Sequence, residues 1–585
     1  MPLVRQLEIS NFRGIRHLVW NPAPGLNCLI GPGDSGKTTI LSAIDIALSA
    51  RRNIPFTDAD FHNLNVDAPI EIIVSLGGLP DELINLDKYG HFLRGFDVIT
   101  GALSDEPFIG LETILTIKLT VRCDLQPEWN FFSQRANSEG IEKSIPWAIR
   151  EIFAPIKLDA GNDRHLAWGT RSILNKLSDS NIDISETLAN VARQTRSVFD
   201  QQPITEFQPV LSKIKSIADN QGVSVGNLKA LLDVNGVSLN NGAVSVHNSD
   251  NTPLRQLGTG SIRLLVSGIQ RETSTSNIML IDEAEYGLEP FRISKLLNNL
   301  GAKSIVPESQ VFITTHSPFV LRELQAQQLW ILRKNTRPPP PPNLLPTSPV
   351  TAFIPIKAHQ IQNASSAVGA QATLRAEAES FFAKKVLVCE GKTEIGLVRG
   401  LDLQNMDANQ PTWLENGVAF SNGDGGNMFN RAEVFHKLGY KTAIFKDSDI
   451  PQEHANHQQR MTQMGIEIIE WGNGHSTESA IFNNCPATMI SGLLQIAIDR
   501  KGFDSVNSSI RNNSNNQYDY NLCHSSFNDV MRPVLALASG KKGWFKDIEP
   551  MELIGRTLIA PQFTSFQQPF QTVLRQLYLW LNTGA

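Results

Sequence analysis

Short apolar runs that end on glycine- or acid-bearing turns alternate along this chain with stretches in which apolar residues recur every third or fourth position. The first pattern predicts strands and the second amphipathic helices. Strands are expected over residues 5–9, 25–30, 69–76 and 113–121, with a helix over 38–50, an alternation that implies an α/β sheet. Beyond residue 160 the strand signal fades, and residues 182–199 and 204–218 carry helical spacing instead. Strands at 277–281 and 310–314 restore the α/β pattern, which closes near Arg333. Residues 384–390 and 441–446 predict strands of a second α/β unit.

Five consecutive prolines, residues 338–342, fit neither a helix nor a central strand and predict a stiff extended spacer. The expected division is 1–159, a helical insertion at 160–233, 234–335 completing the first unit, a proline-rich linker at 336–380, and a second unit at 381–585. Residues 503–517, rich in Ser and Asn, are expected to form a flexible loop. With 585 residues, 41% hydrophobic and 19% charged, the chain has material for more than one core. Its net charge of −6 neither supports nor excludes nucleic acid, since a local basic groove can hide in an acidic average. Cys28, Cys123, Cys389, Cys485 and Cys523 lack paired spacing, so reduced, mostly buried thiols are expected, without disulfides or zinc. The N-terminal stretch lacks a signal-peptide core, and no apolar run approaches the roughly 20 residues of a membrane span. A cytoplasmic location without membrane partners is expected.

The segment Gly31-Pro32-Gly33-Asp34-Ser35-Gly36-Lys37-Thr38-Thr39 follows one predicted strand and opens a predicted helix. That context makes it a phosphate-binding loop for ATP: backbone N–H groups approach the phosphates, Lys37 neutralises the β and γ oxygens, and Thr38 ligates Mg²⁺. Asp282 and Glu283, ending the apolar run at 277–281, divide the remaining work, Asp282 holding the metal's water shell and Glu283 polarising the attacking water. His316 follows the next strand and is placed to sense the γ-phosphate.

A second set of acids stands at two other strand ends. Glu390 ends one run, and Asp447 and Asp449 end another on alternate residues, so both aspartates are expected on one side of an extended chain. Glu394, four residues after Glu390, is expected to share a helix face with it. Strand ends of a parallel sheet converge, so these carboxylates are candidate ligands for Mg²⁺, with Mn²⁺ or Ca²⁺ as alternatives.

The nucleotide motifs resemble the ABC-type ATPase heads of the SMC and RecF group, as does the opening Leu7-Glu8-Ile9-Ser10-Asn11-Phe12-Arg13-Gly14-Ile15. Leu257-Gly258-Thr259-Gly260-Ser261 is similar to the signature loop, and the resemblance implies that Gly258, Gly260 and Ser261 close over a partner subunit's ATP. Two departures stand out. No glutamine lies between Gln6 and Gln126 to serve as the Q-loop, leaving Asp58, Asp60 or His62 as candidates for contacts near the metal. The interval between the nucleotide motifs shows no sustained heptads, so no long coiled coil is expected.

The Glu390-Gly391 and Asp447-Ser448-Asp449 pair resembles the Toprim domain of topoisomerases, primases and several nucleases. None of the six tyrosines has the context of a topoisomerase nucleophile, which makes water the expected nucleophile. An ABC-type head joined to a C-terminal, Rossmann-like Toprim domain resembles the OLD (overcoming lysogenisation defect) family of ATP-dependent nucleases over nearly the whole chain. The resemblance implies a further metal-binding acid, matched by Glu478, and a catalytic lysine near the C-terminus, matched by Lys542, with Lys541 and Lys546 as alternatives. A signature loop needs a partner's bound ATP and the amphipathic insertion needs a surface to cover its apolar face, so a homo-oligomer, dimer or tetramer, is expected. The expected function is an ATP-regulated, metal-dependent DNA endonuclease in bacterial antiphage defence. It would act alone, with a helicase, or as the effector of a retron reverse transcriptase and its msDNA. The alternative is a RecF- or SMC-like ATP-gated DNA-binding protein whose Toprim domain does not cut.

Overall fold

The five residues of strand Leu26–Ile30 are all buried because the strand lies inside a sheet covered on both faces. Leu26, Cys28 and Ile30 belong to one apolar cluster, while Leu29 joins another, as strand alternation requires. The computed structural model describes residues 2–51, 54–158, 185–201, 208–212, 246–249, 253–273, 276–334, 359–449 and 451–584.

Two sheets build the N-terminal unit. The first is antiparallel, in the order Ile15–Trp20, Leu3–Phe12, Ile70–Gly77, Glu112–Val121, Leu93–Phe96, Leu103–Ser104, with Pro127–Phe131 paired to Glu112–Val121. The second runs His359–Asn363, Leu329–Lys334, Leu26–Ile30, Gln310–Thr314, Ile278–Ile281, Ile156–Leu158, all parallel except the first pairing. The C-terminal unit has a parallel sheet ordered Val418–Asn422, Lys385–Cys389, Lys441–Lys446, Glu467–Glu470. In chain order this is 2-1-3-4, so the direction of winding reverses between its first and third strands, where a crevice opens at their carboxyl ends. Helices from Thr477–Asn484 to Gln568–Asn582 then form a second core against the other face. Buried Lys385 fastens the last helix by donating to the carbonyls of Trp580, Leu581 and Thr583.

Two expectations change. The linker expected over 336–380 does not extend to residue 380: His359–Asn363 completes the edge of the N-terminal sheet, and Ala370–Ala376 and Ala378–Phe382 are helical. The two units consequently share one continuous apolar cluster, from Leu26 and Val311 through Leu374 and Phe381 to Val386 and Phe435. Residues 503–517 are not a flexible loop, because Phe503–Asn513 is a helix that buries Val506 and Ile510 fully. Its apolar positions fall at helical spacing, masked in composition by the Ser and Asn between them. Of the insertion, Ser185–Gln201 is helical, while most of 160–233 and the prolines at 338–342 lie outside the described residues. Cys28, Cys389, Cys485 and Cys523 are buried thiols and Cys123 is exposed. Among the described residues no helix is long and apolar enough to cross a membrane.

Candidate functional site

The loop after Leu26–Ile30 turns into helix Lys37–Leu48 through Asp34 at φ +57° and Gly36 at φ +99°. A Cβ at Gly36 would lie 3.2 Å from Ile15, so both backbone angle and space call for glycine. The Lys37 ammonium is tucked into the loop, donating to the Gly31 carbonyl at 3.0 Å and the Pro32 carbonyl at 3.2 Å. Burial lowers its pKa, with Asp282 and Asp34 opposing that shift. Thr38 donates to Asp282 Oδ1 at 3.3 Å, which brings the two motifs together.

Asp282 and Glu283 follow Ile278–Ile281, and Glu283 turns at φ +49°. Both are set by Thr314, which the sequence did not single out. Its hydroxyl donates to Asp282 Oδ1 and accepts from the Glu283 N–H at 2.8 Å. Glu285 was also missed; its carboxylate accepts from the Thr315 hydroxyl and the His316 N–H, both at 2.6 Å, and so orients the loop carrying His316. The signal available was its position two residues beyond Glu283 on the same acidic turn.

The signature-like segment opens helix Thr259–Thr273. Ser261 accepts from Arg292 at 2.8 Å, and a Cβ on Gly260 would meet the Gly287 carbonyl at 2.4 Å, which explains that glycine, whereas Gly258 faces open space. Arg263 joins this helix to the acidic strand by donating to the carbonyls of Asp282 and Tyr286. Of the Q-loop substitutes, Asp60 pairs with Arg13 at 2.9 Å and His62 contacts the Arg13 carbonyl at 2.8 Å. Both hold their turn against the opening hairpin.

At the second site Glu390 leaves strand Lys385–Cys389 and its Oε2 accepts the Asp447 N–H at 2.9 Å, tying two strand ends together across the winding reversal. Glu394 does not share a helix face with Glu390: the helix begins at Lys392, after an extended Gly391, and the two acids meet as a strand end and a first helical turn. Glu394 Oε2 accepts the Gly391 N–H at 2.9 Å. Asp447 and Asp449 likewise do not lie on one extended strand, because the strand ends at Lys446. Asp447 turns inward to accept from the Thr477 N–H at 2.8 Å, whereas Asp449 is exposed and acts electrostatically on Glu478.

Thr477, also missed, is the junction. Its hydroxyl lies 2.7 Å from Glu394 Oε1 and 2.9 Å from Asp447 Oδ1, and accepts from Trp471 Nε1 at 2.7 Å. One hydroxyl proton can serve only one of these carboxylates at a time. Burial pushes the pKa values of Glu394 and Asp447 up, and repulsion from the neighbouring acids, Glu390 included, adds to it. Glu478 is raised by burial too, and its Oε1 is buried with no hydrogen-bond partner. The charge that offsets Glu478 comes from Lys546; Lys541 donates to Asn513, and Lys542 is exposed in the last turn of Arg532–Lys542.

Among the described residues no three His, Cys, Asp or Glu side chains are grouped closely enough to hold a metal ion as they stand. The donor set nevertheless fits a divalent cation: hard carboxylate oxygens, mutually repelling and buried, with one acceptor orphaned.

Residues 26–322 match the family described as "AAA domain, putative AbiEii toxin, Type IV TA system", and residues 381–449 match "Overcoming lysogenization defect protein-like, TOPRIM domain". The chain belongs to this AAA family, in the ATPase–Toprim architecture of the OLD family. Its N-terminal unit is thus an ATPase domain and its C-terminal unit carries a Toprim domain, an arrangement of ATP-dependent nucleases. A 48-residue stretch is 44% identical to the DNA replication and repair protein RecF of Moorella thermoacetica, covering 8% of this chain and 13% of that protein. RecF of Teredinibacter turnerae is 41% identical over 51 residues, 9% of this chain and 14% of its own length. The chain thus spans only a small part of these curated relatives. Among solved structures, the SMC head domain from Thermotoga maritima is 12% identical at a TM-score of 0.28, covering 57% of this chain and 95% of that one. The Smc head domain with an extended coiled coil from Pyrococcus furiosus is 12% identical at a TM-score of 0.31, covering 64% and 100%.

Proposed function

We propose that this OLD-family protein is an ATP-regulated, divalent-metal-dependent DNA endonuclease. The observation that carries the reading is the gathering of Glu390, Glu394, Asp447 and Glu478 at the carboxyl ends of two adjacent parallel strands, more negative charge than a buried pocket retains without a cation. A divalent ion bound there would polarise the scissile phosphate and activate water. Thr477 orients Glu394 and Asp447, Glu390 ties the two strand ends, and Lys546 stands where a cation can meet charge developing on the phosphate. Lys542 remains the alternative to Lys546 in that role. Phosphodiester hydrolysis is downhill, so ATP regulates access or assembly and does not drive cleavage. Lys37, Thr38, Asp282 and Glu283 bind and hydrolyse it, and Gly258, Gly260 and Ser261 meet a second subunit's nucleotide in a homo-oligomer.

The biological role we infer is antiphage defence, in line with the toxin and lysogenisation descriptions of the matched families, alone or beside a helicase or a retron reverse transcriptase with its msDNA. The deciding experiment is plasmid cleavage with Mg²⁺ or Mn²⁺, with EDTA, and with ATP or a non-hydrolysable analogue. Metal-dependent nicking that responds to nucleotide is expected; DNA left intact under every condition overturns the nuclease reading. The short RecF-like stretch favours, as the second reading, an ATP-gated DNA-binding protein, for which ATP-dependent DNA retention without cleavage is the expected result.

A further inference from the structure

Between the ATPase turn bearing His316 and the Toprim strand bearing Glu390 runs one short segment, residues 377–382. At its far end Phe382 lies against the exposed His316 ring, with centroids 6.4 Å apart. Arg322, on the helix that follows His316, pairs with Glu379 at 2.5 Å, although both side chains are substantially exposed and the pair contributes little by itself. Phe381 is buried against Phe435, and its carbonyl accepts from Tyr440 at 2.6 Å, so the segment is fixed to the Toprim core.

Its near end, Glu377, is a largely buried carboxylate with three partners on and behind the turn beside the metal acids. It accepts from the Ser421 hydroxyl and the Asn422 N–H, each at 3.0 Å, and pairs with Arg431 at 3.5 Å, while Arg431 also donates to the Asn422 carbonyl. That turn touches Glu390 through its backbone. Gly425 N–H donates to the Glu390 carbonyl at 2.9 Å, Gly423 N–H donates to the Cys389 carbonyl, and a Cβ on Gly423 would lie 2.5 Å from that carbonyl and 3.1 Å from that of Glu390. A shift of Glu377 therefore moves the support under Glu390, with no slack in the turn to absorb it.

We propose that Glu377 is a positioning residue for Glu390, and that the segment 377–382 carries the state of the nucleotide site, felt at His316, to the Toprim carboxylates. This rests on the nuclease reading above and names its route of regulation. The segment is one short helical stretch, roughly 10 Å end to end at about 2 Å per residue, so displacement at Phe382 arrives at Glu377 as movement of a rigid body. The two ends touch different domains, and only a nucleotide-dependent change in their relative position is required.

The test uses the full chain and two readouts: Mg²⁺ dependence of plasmid cleavage, and hydrogen exchange of residues 418–426 in metal-free protein with and without a non-hydrolysable ATP analogue. Glu377→Ala should raise the Mg²⁺ concentration for half-maximal cleavage about tenfold, as loss of support behind a metal ligand does, and speed exchange at 418–426. Glu377→Gln, which keeps a carbonyl for Ser421 and the Asn422 N–H, should fall between it and the wild type. Phe382→Ala should keep the Mg²⁺ requirement and lose the nucleotide-dependent change in exchange. Wild-type Mg²⁺ dependence and exchange in Glu377→Ala, or a full nucleotide response in Phe382→Ala, would overturn the proposal. A wild type that cuts no DNA sinks the nuclease reading alone, because the exchange measurements still decide the coupling.

Discussion

At the end of Ile278–Ile281, Asp282 meets the hydroxyls of Thr38 and Thr314 and the charge of Lys37, whereas at the ends of Lys385–Cys389 and Lys441–Lys446 the carboxylates meet backbone N–H groups and the Thr477 hydroxyl and repel one another. A buried lysine is close to the second site as well, but Lys446 turns to Glu470 and the Asp447 carbonyl. The nucleotide site thus carries its own cation and is balanced before any ligand arrives. At the Toprim site, burial and repulsion between neighbouring acids instead raise the pKa values of Glu394 and Asp447. A site already balanced by its own lysine tolerates small displacements, while one whose occupancy depends on several carboxylates converging does not, which makes the Toprim cluster the natural point for control.

The largest expected effect separates the two sites outright. Glu390→Ala or Asp447→Ala should reduce DNA cleavage by roughly 1000-fold, the scale of losing several kcal/mol of metal-derived charge stabilisation, and spare ATP hydrolysis. Cleavage persisting in either variant would remove these acids from the chemistry. Next, Glu283→Gln should slow ATP hydrolysis by about 100-fold or more while ATP stays bound, and Lys37→Ala should abolish binding itself. Equal ATP retention in the two variants would break the division of labour between them. A smaller effect is expected at the Toprim junction, where Thr477→Val should weaken Mn²⁺ binding by about tenfold without affecting nucleotide affinity, measured by calorimetry.

The smallest effect is in pH dependence. Asp447 and Glu394 have raised pKa values when folded, so the metal-free protein keeps protons that the unfolded chain releases. Its stability should therefore fall as pH rises from the ordinary carboxylate range through those raised values. Mg²⁺ replaces the protons, so the gain in Tm on adding Mg²⁺ should be larger at about pH 9 than at about pH 6. A gain that shrinks with pH would mean that the cluster is not the metal site.

The three strand–acid junctions and the phosphate loop were legible in the sequence, because a buried parallel strand is mostly apolar and the acid after it then stands out: Asp282 after Ile278–Ile281, Glu390 after Lys385–Cys389, and Asp447 after Lys441–Lys446 with its apolar Ala443-Ile444-Phe445. The hydroxyls that organise those acids were not. Thr314 and Thr477 belong to other elements, and a threonine carries no mark in sequence that distinguishes a junction from an ordinary strand or cap position. The edge strand His359–Asn363 was hidden for a similar reason, since four of its five residues are polar and its partner, Leu329–Lys334, lies on the other side of the prolines.

The sequence by itself determined which chemistry this chain could host: glycines where the backbone must approach phosphate, a lysine to meet it, and carboxylates at the ends of apolar strands. Those are local requirements, written within a few residues of one another. Tertiary structure alone decided how the groups are paired. Asp447 faces inward while Asp449 remains exposed, Lys546 acts on Glu478 while Lys541 turns to Asn513, and Glu377 fastens the turn beneath Glu390. Each depends on where separate strands and helices come to rest, and burial then turns proximity into energy, raising the cost of every unpaired charge that the packing brings together.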